Sequence, residues 1–253
     1  MKKYFFFDID GTLAYGLTKQ VSESTLRCIS MLQNKGHFVS IATGRLQKDA
    51  FSFAQKIGVN SLVADGGNSV TLDGKIVQME SLPVENCISL LKDLDTLKKP
   101  WAVTTQNETI RYTRSDFFEK MVTDTYYETR IIPTFDYFAQ SSFYKIFISC
   151  PMEKENEINF GTLPTVRYSK ECVFIEPKSK SVGIKRMLDI IGGNESDVVV
   201  FGDGTNDIEM FRPEWFSIAM GNGCAALKEK ADYVTQNCEQ DGIYCACNKF
   251  GWI

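Results

Sequence analysis

The chain has a single histidine, His37, among its 253 residues. Catalysis through a Ser-His or Cys-His pair would rest on that one ring, so carboxylates are the better acid–base candidates. It also has no Cys-x-x-Cys. Its cysteines stand at 28, 87, 150, 172, 224, 238, 245 and 247, and the one close pair, Cys245-x-Cys247, fits a zinc or redox site poorly. They read as buried or partly exposed thiols kept reduced. No uninterrupted apolar segment nears the roughly 20 residues of a membrane span. The opening Met1-Lys2-Lys3-Tyr4-Phe5-Phe6-Phe7-Asp8 lacks the apolar region and cleavage site of a secretory leader, so the expected location is cytoplasmic. Positive charge is not in excess either. The net charge is −4, so no overall basic field draws nucleic acid or an acidic membrane. Repeats and low-complexity segments are absent. What remains is an ordinary globular composition, 43% hydrophobic and 24% charged, long enough for roughly one or two domains with a sizeable core.

Against that background one stretch stands out: Phe5-Phe6-Phe7-Asp8-Ile9-Asp10-Gly11-Thr12-Leu13. A continuous apolar run ended by glycine reads as a strand buried on both faces, the signature of a parallel sheet. Ligand sites in such sheets lie beyond the carboxyl ends of the strands, where Asp8 and Asp10 fall. Placing two like charges side by side at a buried strand end is costly, and a hard divalent cation is the natural compensation. The second strong signal repeats the pattern in Val198-Val199-Val200-Phe201-Gly202-Asp203-Gly204-Thr205-Asn206-Asp207. Asp203 falls at the strand end and Asp207 in the first turn of the next helix. Helix capping by Asp203 or Asn206 would account for this motif alone, but not for its pairing with the first. Four carboxylates in one crevice would repel a phosphate dianion. Mg²⁺, a lysine, and protonation of a crowded carboxylate such as Asp10 would each lower that negative charge.

Between these motifs the chain alternates. Ser22 to Lys35 is an amphipathic helix with a capping serine and Gly36 as stop; 38–42 is a strand, 47–57 a helix, and Leu62-Val63-Ala64 another strand. Two βαβ units imply a parallel sheet with right-handed crossovers. The grammar then changes to a hairpin over 70–77 with Asp73-Gly74 at its turn. From about 82 to 176 the pattern reads helix, two strands (around 101–105 and 109–113), helix, strand (144–149), helix and two closing strands, an α+β unit with an antiparallel sheet. The βα rhythm returns with a helix over 181–191, a strand over 197–201, a helix starting at 206–211, a strand over 216–219 and a helix over 223–231. The expected architecture is therefore an α/β, Rossmann-like parallel-sheet core over 1–80 and 178–253, interrupted by an inserted α+β domain over 81–177.

With these residues in hand, the chain resembles a haloacid dehalogenase superfamily phosphatase, of the Cof-type group with a type II cap. Four motifs appear in order: Asp8-Ile9-Asp10-Gly11-Thr12, Ala42-Thr43-Gly44-Arg45, a lysine near 180, and Gly202-Asp203-Gly204-Thr205-Asn206-Asp207. Likeness continues through Ala219-Met220-Gly221-Asn222-Gly223 and Asp241-Gly242. The resemblance implies Asp8 as nucleophile forming an aspartyl-phosphate, and Asp10 as general acid and then base. It implies Mg²⁺ held by the Asp8 carboxylate, the Asp10 backbone carbonyl and Asp203, with Asp207 supporting the metal. Thr43 and the Gly44 N–H would cradle the phosphoryl group as a helix-start anion site, with Asn206 and a lysine completing phosphate binding. Lys180 is preferred to Lys178 because it directly precedes the helix.

The chain departs from the family in having Asp65-Gly66-Gly67 where Asn-Gly-Ala is usual, which adds negative charge near the mouth. Arg45 lies beside the site and pairs, on a bland reading, with a surface carboxylate. Arg111, Arg114 and Arg130 are candidate selectors in the cap. The expected activity is Mg²⁺-dependent hydrolysis of small phosphorylated metabolites, sugar phosphates foremost, by a monomer or weak homodimer with no nucleic-acid or membrane partner. The alternatives are a phosphomutase or phosphotransferase using the same intermediate, and a non-catalytic protein that binds phosphorylated metabolites.

Overall fold

The computed structural model describes residues 1–16, 20–122 and 126–253. The chain divides into two compact units, Met1–Met79 with Ser179–Ile253, and Glu80–Lys178. The first segment runs β1 (Tyr4–Phe7), α1 (Glu23–Asn34), β2 (Phe38–Ala42), α2 (Gln47–Lys56), β3 (Leu62–Ala64), β4 (Ser69–Leu72) and β5 (Lys75–Met79). The inserted unit holds α3 (Val84–Thr96), β6 (Trp101–Thr104), β7 (Ile110–Thr113), α4 (Phe117–Met121), β8 (Glu128–Ile131), β9 (Lys145–Ser149), β10 (Thr165–Ser169) and β11 (Cys172–Ile175). The chain then returns through α5 (Lys180–Ile191), β12 (Val198–Gly202), β13 (Phe216–Ala219), α6 (Ala225–Lys230), β14 (Tyr233–Val234) and α7 (Gly242–Lys249).

The core sheet has the order β14-β13-β12-β1-β2-β3-β4-β5, parallel from β14 to β3 and antiparallel at β4 and β5. Its central strand is β1. Phe5 and Phe7 pack with α1, α2 and α7 on one face, Phe6 packs with α5 and α6 on the other, and none of the three rings is exposed. Burial on both sides is why this strand is a plain apolar run with no alternation. The strand order reverses at β1, which pairs in register with β2 on one side and β12 on the other. A reversal of that kind leaves a crevice at the carboxyl ends of the two strands.

Local signals act as their chemistry requires. The Ser22 hydroxyl accepts the Thr25 N–H to start α1, and the β4–β5 turn takes Asp73 and Gly74 at φ +46° and +81°. Gly67 is fixed by both conformation and space: it has φ +110°, and a methyl group there would lie 2.1 Å from the Ser179 carbonyl oxygen. The returning chain is thus seated on Gly67 one residue before α5 begins.

In the inserted unit the sheet order is β10-β11-β9-β6-β7-β8, with α3 packed over Trp101, Val103, Ile146, Ile148 and Ile175. Two expectations need correction. The sequence reading had no strand at 128–131, and it made this sheet wholly antiparallel; β8 exists there and pairs parallel with β7. Glu128-Thr129-Arg130-Ile131 is an edge strand with no buried residue, so it lacks the apolar alternation that identifies a half-buried strand. Among the described residues no helix is long and apolar enough to cross a membrane.

Replacing Gly67 by alanine is expected to destabilise the protein by about 2 kcal/mol or more, because it adds a backbone clash to the left-handed strain. Gly192→Ala is the comparison: φ is +64° there with open space around it, so about 1 kcal/mol is expected. Chemical denaturation of the two variants measures the difference.

Candidate active site

Asp8, Thr43 and Asp203 each directly follow a core strand, β1, β2 and β12 respectively. The ladder continues into them: the Asp8 N–H donates to Phe201 and the Thr43 N–H to Val63. Parallel pairing therefore carries three of the expected site residues to one edge of the sheet. Asp207 enters from a single turn of 3₁₀ helix over Thr205–Met210. Oxygens of Asp8, Asp203 and Asp207 lie within 4.8 Å of one another.

Lys180, the first residue of α5, is the cation inside this group. Its Nζ donates to Asp8 Oδ1 at 2.7 Å and to Asp207 Oδ1 at 2.6 Å, and only 1% of the residue is exposed. Lys178, the alternative, is exposed. Burial works against the Lys180 charge, but the Asp207 and Asp8 carboxylates outweigh it and hold the ammonium well above the ordinary lysine range. Asp207 is fully engaged: its Oδ2 accepts the N–H groups of Asp203 and Gly204, both at 3.0 Å. It orients the Asp203 loop and the lysine together.

Three carboxylates and one ammonium leave two negative charges in a buried space. Burial, then the Asp207 charge, push the Asp8 carboxyl well above its ordinary range, with Lys180 offsetting part of the effect. The same two causes raise Asp203 to about 7. A divalent cation fits this donor set, since it would neutralise the surplus, and hard oxygen ligands suit it. The groups that would hold it are the second Asp8 oxygen and the Asp203 carboxylate, because Asp207 is taken up by Lys180 and the backbone.

Gly11 closes the other wall. It has φ +86°, and a methyl group there would lie 2.1 Å from Asp203 Oδ2, so only glycine lets the two loops touch. The sequence reading gave no role to two residues that brace this contact. Asn222 donates to the Gly11 carbonyl at 2.8 Å and accepts the Cys238 N–H at 2.8 Å, and the Thr12 hydroxyl reaches Asp203 Oδ1 at 3.4 Å. The Gly-Asn-Gly run at 221–223 was the available signal.

The remaining expected residues divide. Asn206 is exposed and lies against Gly204, beside the acidic group. Asp10 lies outside the three-carboxylate group, forked on Arg45 through Nε to Oδ2 at 2.9 Å and Nη2 to Oδ1 at 2.5 Å. The helix-start reading of Thr43 and Gly44 needs correction. Helix α2 begins only at Gln47, and the Thr43 hydroxyl instead accepts the Arg45 N–H at 3.1 Å, bracing the turn. The α2 terminus is capped from outside: Asp65 Oδ2 accepts the Gln47 N–H at 3.3 Å. The extra charge at Asp65 therefore meets a helix N-terminus, which favours it. In the inserted unit, Arg114 pairs with Asp95 and Arg130 with Glu128, while Arg111 is buried among Phe118, Phe147 and Tyr127.

Comparison with known proteins gives this arrangement its setting. A family model described as haloacid dehalogenase-like hydrolase matches residues 5–246. A Bacillus subtilis (strain 168) protein named "Putative phosphatase YkrA" is 31% identical over 255 residues, covering 99% of this chain and 98% of that one. Phosphoglycolate phosphatase 1 of Saccharolobus solfataricus is 27% identical, covering 96% and 93%. Among solved structures, the subclass IIB sugar phosphatase BT4131 superposes with a TM-score of 0.81 at 24% identity, covering all of both chains.

Two predictions follow from the electrostatics and the cap. Asp203 binds its proton more tightly when folded than unfolded, so between about pH 4 and pH 7 the folded state carries more protons and the metal-free protein loses stability as pH rises. The Tm of Asp203→Asn should therefore exceed that of the wild type by a margin that grows from pH 5 to pH 8, and scanning calorimetry in chelator reads it. Asp65→Ala should cost about 1–2 kcal/mol and Asp65→Asn clearly less, because asparagine keeps both the acceptor and the tolerance of φ +50°.

Proposed function

The chain belongs to the haloacid dehalogenase-like hydrolase family, as a Cof-type phosphatase, and on that premise we propose that it hydrolyses small phosphorylated metabolites with Mg²⁺ through an aspartyl-phosphate on Asp8. The observation that carries the proposal is the Lys180 bridge. The lysine fixes one Asp8 oxygen, in a carboxylate that stands at the strand end with an oxygen within 4.8 Å of one from Asp203.

In the first half-reaction the free Asp8 oxygen attacks phosphorus. The bond from phosphorus to the ester oxygen breaks, and Asp10 gives that oxygen its proton, releasing an alcohol. In the second half a water molecule attacks the same phosphorus and passes a proton to Asp10. The bond to Asp8 breaks, inorganic phosphate leaves, and both carboxyl groups return to their starting states. Thr43, the Gly44 N–H, Asn206 and Lys180 hold the phosphoryl oxygens. Asp8, Asp203 and the Asp10 carbonyl would hold Mg²⁺, which would supply the positive charge that admits a phosphate dianion to an acidic crevice.

Sugar phosphates are the favoured substrates. BT4131 carries that description on the same fold, while the phosphoglycolate phosphatase name on another relative marks the wider class of small phosphomonoesters. Phosphate release from a panel of such esters should require Mg²⁺ and fall by at least about 10³-fold in Asp8→Asn with circular dichroism unchanged. Wild-type turnover by Asp8→Asn would overturn the covalent route.

A further inference from the structure

Asp10 must reach the ester oxygen in one half-reaction and a water molecule in the other, so its carboxylate has to stand in one place. The backbone does part of this: Asp10 bridges to Ala14, and the Gly11 N–H donates to the Ala14 carbonyl. Among the described residues the side chain is held by Arg45. Two parallel N–H bonds from one planar guanidinium fix both the direction and the plane of a carboxylate, which a point charge cannot do.

Arg45 is itself immobilised from four directions. Its Nη1 donates to Asp49 Oδ2 at 3.2 Å, its guanidinium carbon lies 5.5 Å from the Phe53 ring centre, and both of those partners belong to α2. Its own N–H donates to the Thr43 hydroxyl and its carbonyl accepts the Asp65 N–H at 2.9 Å. The side chain is 8% exposed, against 28% for Asp10. An exposed ion pair contributes little because both partners move and water screens them. Here one partner is locked into the sheet edge and α2 before the pair forms.

We infer that Arg45 is the positioning residue for Asp10, aiming its carboxylate for proton transfer without touching the phosphoryl group. This rests on the roles of Asp8 and Asp10 given above. It makes a specific kinetic claim, because protonation of the leaving oxygen matters for an alkoxide and little for a stabilised phenolate. Loss of Arg45 should therefore be selective for poor leaving groups, and it should have no effect once Asp10 can no longer transfer a proton.

The test compares wild type, Arg45→Met, Asp10→Asn and the double variant, with Mg²⁺, on p-nitrophenyl phosphate and on a primary alkyl phosphate. Arg45→Met should lower kcat/KM, which reports the ester-cleaving half-reaction alone, by about 10²-fold on the alkyl ester and by only a few fold on the aryl ester, within the usual range for a general acid. The double variant should match Asp10→Asn alone. Arg45→Lys, which keeps the charge but loses the fork, should fall between wild type and Arg45→Met, and it replaces Arg45→Met if that variant does not fold. Equal losses of kcat/KM on both esters, a rise in KM without a fall in kcat, or losses that multiply in the double variant would each overturn the inference, the second by assigning Arg45 to the phosphoryl group. A wild-type protein that turns over neither ester, nor any of the metabolite panel, would instead overturn the hydrolase reading beneath it.

Discussion

The buried ammonium of Lys180 between Asp8 and Asp207 is the interaction on which the remaining structure depends. It joins the end of β1, the start of α5 and the turn after β12, three segments separated by as many as 172 residues in the chain. Desolvating these ions is expensive, and their attraction offsets the expense only because each carries further hydrogen bonds. Asp207 meets that condition through two backbone N–H groups. At Asp203 burial and the Asp207 charge raise the proton affinity, and the Thr12 hydroxyl at 3.4 Å offsets only part of that. The site is thus assembled with an uncompensated negative charge of a size that a divalent ion removes.

This separates two kinds of acidic residue that composition cannot tell apart. Asp207 and Asp65 are spent on the fold, one bracing a turn and the other capping α2. Asp8 and Asp203 stay within the acidic group at the strand ends, and Asp10 lies outside it, paired with an arginine. Identical side chains at one rim do different work because their partners differ.

The core was legible because its elements are punctuated and periodic. The run Phe5-Phe6-Phe7 has no polar alternation and could only be a strand covered on both faces, and Ser22 and Gly36 bracket α1 as cap and stop. The two acidic motifs gave the crevice, since parallel strands deliver their carboxyl ends to one edge. What escaped was of two sorts. Strand β8 buries nothing and so writes no pattern, and α7 buries small residues, Ala246 and Cys247, whose apolar face is faint in sequence. The Arg45–Asp10 and Asp65–Gln47 pairings also escaped, because they span 35 and 18 positions and no local spacing announces them. Lys180 was the intermediate case: proximity to a helix start favoured it over Lys178, and only burial between two carboxylates separates them.

The seat of Ser179 on Gly67 has a consequence for how such a protein can diversify. The returning chain is clamped to core backbone immediately before the lysine, with Gly183 pressed against the same glycine one turn later. The aim of Lys180 is therefore set within its own unit, by the seating of Ser179 and Gly183 on Gly67. An insertion of another length or architecture could be grafted at this junction without disturbing the ammonium beside Asp8, leaving the excursion free to drift while that ion pair stays put.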